Sequence, residues 1–192
     1  MIRQGISEVL IRASGSEKIL QFPTVKEALN APDKYVKQLS YHQHPTAGHS
    51  IKILFNEKQI KQLLNKLPQR ALQGQRPLVL VWLMIDKAGV PYSIGNDSEP
   101  LIATEMSKAL TKRAIPFTLP LLDLTDVNEI GEVEVWNGTL HSLQQTAKRY
   151  EPEAILLGRL KNNNTEEWKG SWTLLKEGSE NITWETEGKT LE

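Results

Sequence analysis

The sequence contains no cysteine, which removes disulfides, thiolate metal ligands and thiol nucleophiles together, and with them the usual clue to redox compartment. Neither charge is in excess: Lys plus Arg and Asp plus Glu each number 23. No broad positive field is available to hold a phosphate backbone, so nucleic acid is not an expected partner. Long apolar runs are missing too. The longest, Leu78 to Ile85, has eight residues, against the ~20 that a membrane-spanning helix needs. No basic start followed by an apolar stretch precedes Gly5, so no export signal is visible. The chain opens inside a helical pattern and closes on Leu191-Glu192, which reads as a cloning scar, so a trimmed start is expected.

With 39% hydrophobic and 24% charged residues, the composition lies in the globular range. A chain of 192 residues accommodates one domain or two small ones and buries a core without staples. Ile2, Ile6, Val9, Leu10 and Ala13 recur at helical spacing, and Gly15 follows where a left-handed residue ends a helix. Thr24-Val25-Lys26-Glu27 has the form of a capping box, and Pro32 closes the short helix it starts. Residues 35–41 and 50–55 read as a hairpin with Ile51, Ile53 and Phe55 on one face, joined by a polar loop over 42–49. Asn56 caps an amphipathic helix carrying Ile60, Leu63, Leu64 and Leu67, which Pro68 stops.

Beyond an unpatterned stretch at 68–77 the chain alternates strand and helix. Leu78 to Ile85 is apolar throughout, as in a strand covered on both faces. Ser98 and Pro100 start a helix reaching about Arg113, and Ile115 to Leu122 reads as a strand that Pro116 and Pro120 push toward an edge or make irregular. A helix follows over Leu140 to Tyr150, then a strand over Ala154 to Leu160 and a closing hairpin with Trp168, Trp172 and Trp184 on one face. The expected class is α+β: a mixed sheet in β-α-β-α-β-β-β order, preceded by a helix, β-hairpin and helix. Residues 1–75 would form an N-terminal α+β subdomain and 76–190 a C-terminal α/β subdomain, with one continuous domain as the alternative.

Three groups of residues are candidates for chemistry. His42, His44 and His49 cluster in the hairpin loop, where imidazoles can converge on a zinc or copper ion, although polar loops also collect histidines that bind nothing. Asp86 and Asp123 stand at the expected carboxyl ends of parallel strands, the ligand-binding edge of open α/β sheets, with Asp126 three residues on. Asp at such a place also commonly bonds the backbone of the following turn. Arg76 and Arg113, with Arg12 and Arg149, are candidates to hold an anion, against the more ordinary use of ion pairing. The tryptophans of the final hairpin fit a core face, and an exposed one among them would mark a contact surface. No Gly-x-Ser-x-Gly elbow accompanies Ser14, Ser16 or His141, so a serine hydrolase is not expected.

Several phrases taken together resemble a bacterial family catalogued as domain of unknown function family 2066 (DUF2066). They are residues 9–15, Val-Leu-Ile-Arg-Ala-Ser-Gly; Tyr35-Val36 with Tyr41; residues 76–83, Arg-Pro-Leu-Val-Leu-Val-Trp-Leu; Ile115-Pro116 and residues 119–126, Leu-Pro-Leu-Leu-Asp-Leu-Thr-Asp; Lys148-Arg149-Tyr150; and the pair Trp168 and Trp172. One departure is Arg113-Ala114, where the family pattern has Arg-Gly. The resemblance implies an exported periplasmic or envelope protein of Gram-negative bacteria, and no activity. The second half is also similar to the amino-terminal α/β domain of TolB, where such domains serve protein contacts. The expected function is therefore a non-catalytic protein-interaction module without a cofactor, engaging an envelope protein through a sheet edge or loop. The alternatives are a metal-dependent hydrolase using Asp86, Asp123 and Asp126 or the histidines, and a small-ligand or glycan binder using the tryptophans.

Overall fold

The computed structural model describes residues 1–44, 48–68, 75–87, 89–95, 100–162 and 167–188. The expected helix start at Ser98, the hairpin loop centre at 45–47, most of the 68–77 stretch and Leu191-Glu192 lie outside them. Contacts divide the chain into two compact units, Met1–Gly74 with Lys112–Ala114, and Gln75–Thr111 with Ile115–Glu192.

In the first unit, helix α1 (Ile2–Ser14) ends at Gly15, whose φ of 74° is the left-handed conformation the sequence calls for and whose amide bonds the Ile11 carbonyl. A 3-10 turn (Glu17–Gln21) capped by the Ser16 side chain leads to α2 (Pro23–Asn30). That helix begins at Pro23 with Phe22 as its cap, so Thr24 lies inside the first turn and the expected capping box is not used. A second 3-10 turn (Pro32–Tyr35) enters the hairpin of β1 (Val36–His44) and β2 (Gly48–Phe55). The loop expected over 42–49 is thus shorter, because the ladder continues past Tyr41 to pair His44 with Gly48 and satisfies backbone groups that a loop would leave to water. Helix α3 (Glu57–Asn65) is capped by Asn56, which accepts the Gln59 amide at 3.3 Å. Its Ile60, Leu63 and Leu64 join Ile6, Leu10 and Val25 in one core.

The second unit is a mixed sheet with helices on both faces. Strand β3 (Val79–Lys87) is its centre: Val79, Val81, Leu83 and Ile85 enter one apolar cluster and Leu80, Trp82 and Met84 another, which is why the run has no polar alternation. Strand β4 (Val90–Ile94) returns antiparallel to β3, and helix α4 (Pro100–Lys112) then contributes Ile102, Ala103 and Leu110 to the first cluster. Strand β5 is only Phe117–Thr118, because Pro116 and Pro120 remove the donors on either side. Three short helices follow, α5 (Leu124–Glu129), α6 (Glu132–Trp136) and α7 (His141–Ala147), and Ile130 just after α5, Val135 of α6 and Leu143 of α7 join the second cluster. The meander β6 (Ala154–Asn162), β7 (Trp168–Leu175) and β8 (Ile182–Gly188) completes the order β4-β3-β6-β7-β8, with β5 on β3. Pairs β3–β5 and β3–β6 are parallel and the rest antiparallel.

The α+β class and mixed sheet are those expected. What differs is β4 and the pair α5 and α6, which stand where a simple β-α-β alternation had none. Gly158 of β6 shows how tightly one face is packed: a Cβ there would lie 2.5 Å from Trp172 Cζ3 and 2.6 Å from Leu83 Cδ2. Gly158→Ala is expected to destabilise the unit by about 1–3 kcal/mol through overpacking. Urea denaturation reads this, and an unchanged midpoint would mean that the Trp172 ring yields freely.

Candidate functional site

Asp123 and Asp126, two of the carboxylates singled out in the sequence, are brought together by Arg149. Asp123 caps α5, its Oδ1 accepting the Thr125 and Asp126 amides at 3.1 Å each. The Arg149 guanidinium meets it as a fork, Nη1 to Oδ1 and Nη2 to Oδ2 at 2.7 Å each, and Nη1 also reaches Asp126 Oδ1 at 3.0 Å. Asp126 is buried, at 1% exposure. Its Oδ2 accepts the Tyr150 hydroxyl at 2.6 Å and the Leu122 amide at 2.8 Å, and the Tyr150 oxygen in turn accepts the Leu121 amide at 2.9 Å. These bonds hold Leu122 at a φ of 52°, a region that side chains rarely occupy. The guanidinium carbon also lies 5.3 Å from the Tyr150 ring centroid.

The electrostatics follow from this geometry. The Arg149 fork, helped by the Asp126 amide, holds the Asp123 carboxyl well below its usual range. Asp123 raises the Arg149 guanidinium in return. Burial, with the bond to Asp126, pushes the Tyr150 hydroxyl up. Every carboxylate oxygen of the cluster already has a donor from the chain, so its chemistry is that of a clamp fixing 121–126 against the end of α7. A carboxyl depressed on folding stabilises the native state above its unfolded pKa, and that contribution fades as pH falls toward the folded value. The stability gap between the protein and Asp123→Asn should therefore be full at neutral pH and narrow below about pH 5. A gap in melting temperature that stays constant down to acid pH would contradict this.

The other candidates are placed apart. Asp86 sits at the β3–β4 turn, its Oδ1 accepting the Gly89 amide at 2.7 Å and its Oδ2 lying 3.5 Å from Lys161 Nζ. The strand it ends leads into a hairpin, where Gly89 adopts a φ of 87°, and not into a helix as the sequence suggested. Arg113 pairs with Glu17 at 3.2 Å, and Arg76 is half-buried ahead of β3. Of the histidines, His42 is exposed and in register with Ser50, while the side chains of His44 and His49 lie outside the described residues. Among the described residues no group of three His, Asp or Glu is placed to hold a metal ion. Trp168 and Trp172 are half-buried against the cluster that includes α4, whereas Trp184 is 41% exposed, stacked on Trp172 with centroids 6.3 Å apart.

What the sequence did not indicate is the groove that the clamp supports. It has a volume of about 540 Å3, with Trp82 and Ile130 in its floor and Val90, Pro91, Val127 and Val133 among its walls. Glu132 ties the two sides by accepting the Ser93 amide at 2.7 Å, and the Ser93 hydroxyl accepts from Trp82 Nε1 at 2.9 Å. Leu122 and Asp126 also line it, so the clamp sets one wall directly. Val90, Val127 and Val133 are exposed at 67%, 62% and 61%. Leu124, three residues before Val127 on α5, is exposed as well. Between residues 114 and 147 the chain has five acidic residues and no Lys or Arg.

Among the described residues no helix is long and apolar enough to cross a membrane. No curated protein matches the chain. One solved structure that it resembles is the LpoB C-terminal domain from Salmonella enterica, at 15% identity and a TM-score of 0.37, covering 67% of this chain and 92% of that one. At that score the likeness carries no inference. The family profile that matches belongs to a different domain of unknown function, DUF8605, and covers residues 1–71. It overturns the resemblance to DUF2066, and the likeness to TolB falls with it. The phrases behind that reading were short and mostly apolar, and a strand or helix core supplies such phrases in many families. What matches is thus the first 71 residues, to a domain of unknown function, and the groove lies in the part beyond them.

Proposed function

We propose that this chain is a non-catalytic protein-interaction module whose β4–α5–α6 groove docks a segment of a partner protein. The observation that carries the reading is the gathering of exposed Val90, Val127 and Val133 around one concavity floored by Trp82 and Ile130. Single exposed apolar residues are ordinary, but several around one groove mark a surface made to be covered. Arg149 brings one positive charge to the two negative charges of Asp123 and Asp126, and Glu132 and Glu134 at the groove make no ion pair among the described residues. The complementary partner segment is apolar at its centre and basic at its flanks.

The test is capture by the tagged chain from a bacterial envelope extract and, in parallel, from a cytosolic one, with light crosslinking and mass spectrometry. One protein enriched from either extract and lost when Val127→Arg and Val133→Arg are combined is the expected result. Recovery of the bait alone, or equal retention by the double variant, would overturn the proposal.

A further inference from the structure

The two edges of the second unit's sheet are treated differently. Strand β4 carries Pro91, which has no amide to offer, and the Ser93 amide is taken by Glu132. Strand β8 has neither protection. Its seven residues, Ile182 to Gly188, include no Pro, Lys or Arg, pair with β7 in unbroken register, and are all exposed. Among the described residues no strand pairs with its outer side. A long edge without Pro, Lys or bulge is a template for another strand.

We infer that the outer edge of β8 takes an extended segment of a partner protein, added as a further strand, in which Lys or Arg alternate with β-branched or aromatic residues. Two features of β8 select that pattern. On one face stand Thr183, Glu185 and Glu187. Glu187 is met at 2.9 Å by Lys169 of β7, which also attracts Glu185 at longer range, whereas Glu185 has Ser171 directly opposite it and makes no ion pair among the described residues. On the other face Ile182 and Trp184 are exposed, and Trp184 is held flat against Trp172, whose Nε1 donates to Thr186 Oγ1 at 2.9 Å. Directly opposed side chains across a strand pair favour opposite charge and aromatic or β-branched contact, and disfavour like charge.

The same rule argues against a second copy of this chain. A two-fold antiparallel pairing centred on Glu185 sets it against itself, and one centred on Thr186 sets Glu185 against Glu187. Centring on Trp184 leaves the two Glu185 side chains diagonal on one face, with no cation between them. A basic strand meets none of these obstacles. The inference goes beyond the groove reading and stands without it.

The probe is an eight-residue peptide alternating Lys and Val, compared by titration with a Glu-Val peptide and with a Lys-Val peptide N-methylated at every second residue to remove ladder donors. Amide chemical shifts of the whole chain locate the site. The Lys-Val peptide is expected to bind at least about tenfold more tightly than either control, with shifts confined to β7 and β8, and Glu185→Lys is expected to invert the preference between Lys and Glu peptides. Val127→Arg with Val133→Arg should leave this binding unchanged, which separates it from the groove. Equal binding of the N-methylated peptide, meaning charge attraction alone, or no binding at all would overturn the inference. So would a concentration-dependent dimer of the unmodified chain that protects β8.

Discussion

Asp126→Ala is expected to lower the stability of the second unit by about 2–4 kcal/mol, a fall of roughly 10 °C in melting temperature. The substitution removes an acceptor that serves Arg149, Tyr150 and Leu122 at once. The half-buried Tyr150 hydroxyl and Leu122 amide then lose their acceptor, and a donor so orphaned costs more than the mean worth of a hydrogen bond to the extent that water cannot replace it. Leu122 adds to this, because its positive φ is held by the bond that disappears. Tyr150→Phe, which deletes only the hydroxyl between Asp126 and the Leu121 amide, should cost about 1 kcal/mol. Thermal unfolding followed by near-ultraviolet circular dichroism checks both. A change under about 1 kcal/mol for Asp126→Ala would show that the cluster is not a clamp.

The second large effect is on binding. Val127→Arg combined with Val133→Arg should weaken retention of the groove's partner by about a hundredfold while leaving the melting temperature within about 2 °C. Both side chains are more than half exposed, so little native packing is lost, and the new charges oppose the basic flanks expected of the partner. Asp126→Ala should weaken retention as well, by loosening the wall that Leu122 and Asp126 form. The two variants therefore separate surface from support: the first loses affinity at full stability, the second loses both.

How much of this was legible in the sequence varies with the physics of each element. The unbroken run Leu78 to Ile85 required cover on both faces and received it. Asn56, Gly15 and the i, i+3, i+4 stripe at Ile60, Leu63 and Leu64 fixed their helices locally, because cap and periodicity are properties of neighbouring residues. Strand β4 was not visible because Val90-Pro91-Tyr92 places a proline in a short strand, and only the turn bond from the Gly89 amide to Asp86 reveals a hairpin. Helices α5 and α6 have six and five residues, too few for a period to appear. The cap Asp123 ahead of Leu124-Thr125-Asp126 was the one signal that pointed to α5. Asp123 and Asp126 stood out in the sequence as carboxylates, but their service to Arg149 depends on a residue 23 and 26 positions away, a distance that no local pattern spans. Trp184 has the same alternation as Trp168 and Trp172, and its exposure follows from β8 lying at the end of the strand order.

The most direct test of the groove as a docking surface is site-specific photocrosslinking from three positions: Val127 and Val133 at its walls, and Glu177 in the turn after β7 as a control. Crosslinks to one partner protein from the two valine positions, and none from Glu177, are the predicted result. The same protein captured equally from all three positions, or no crosslinked product from the valines, would contradict the account.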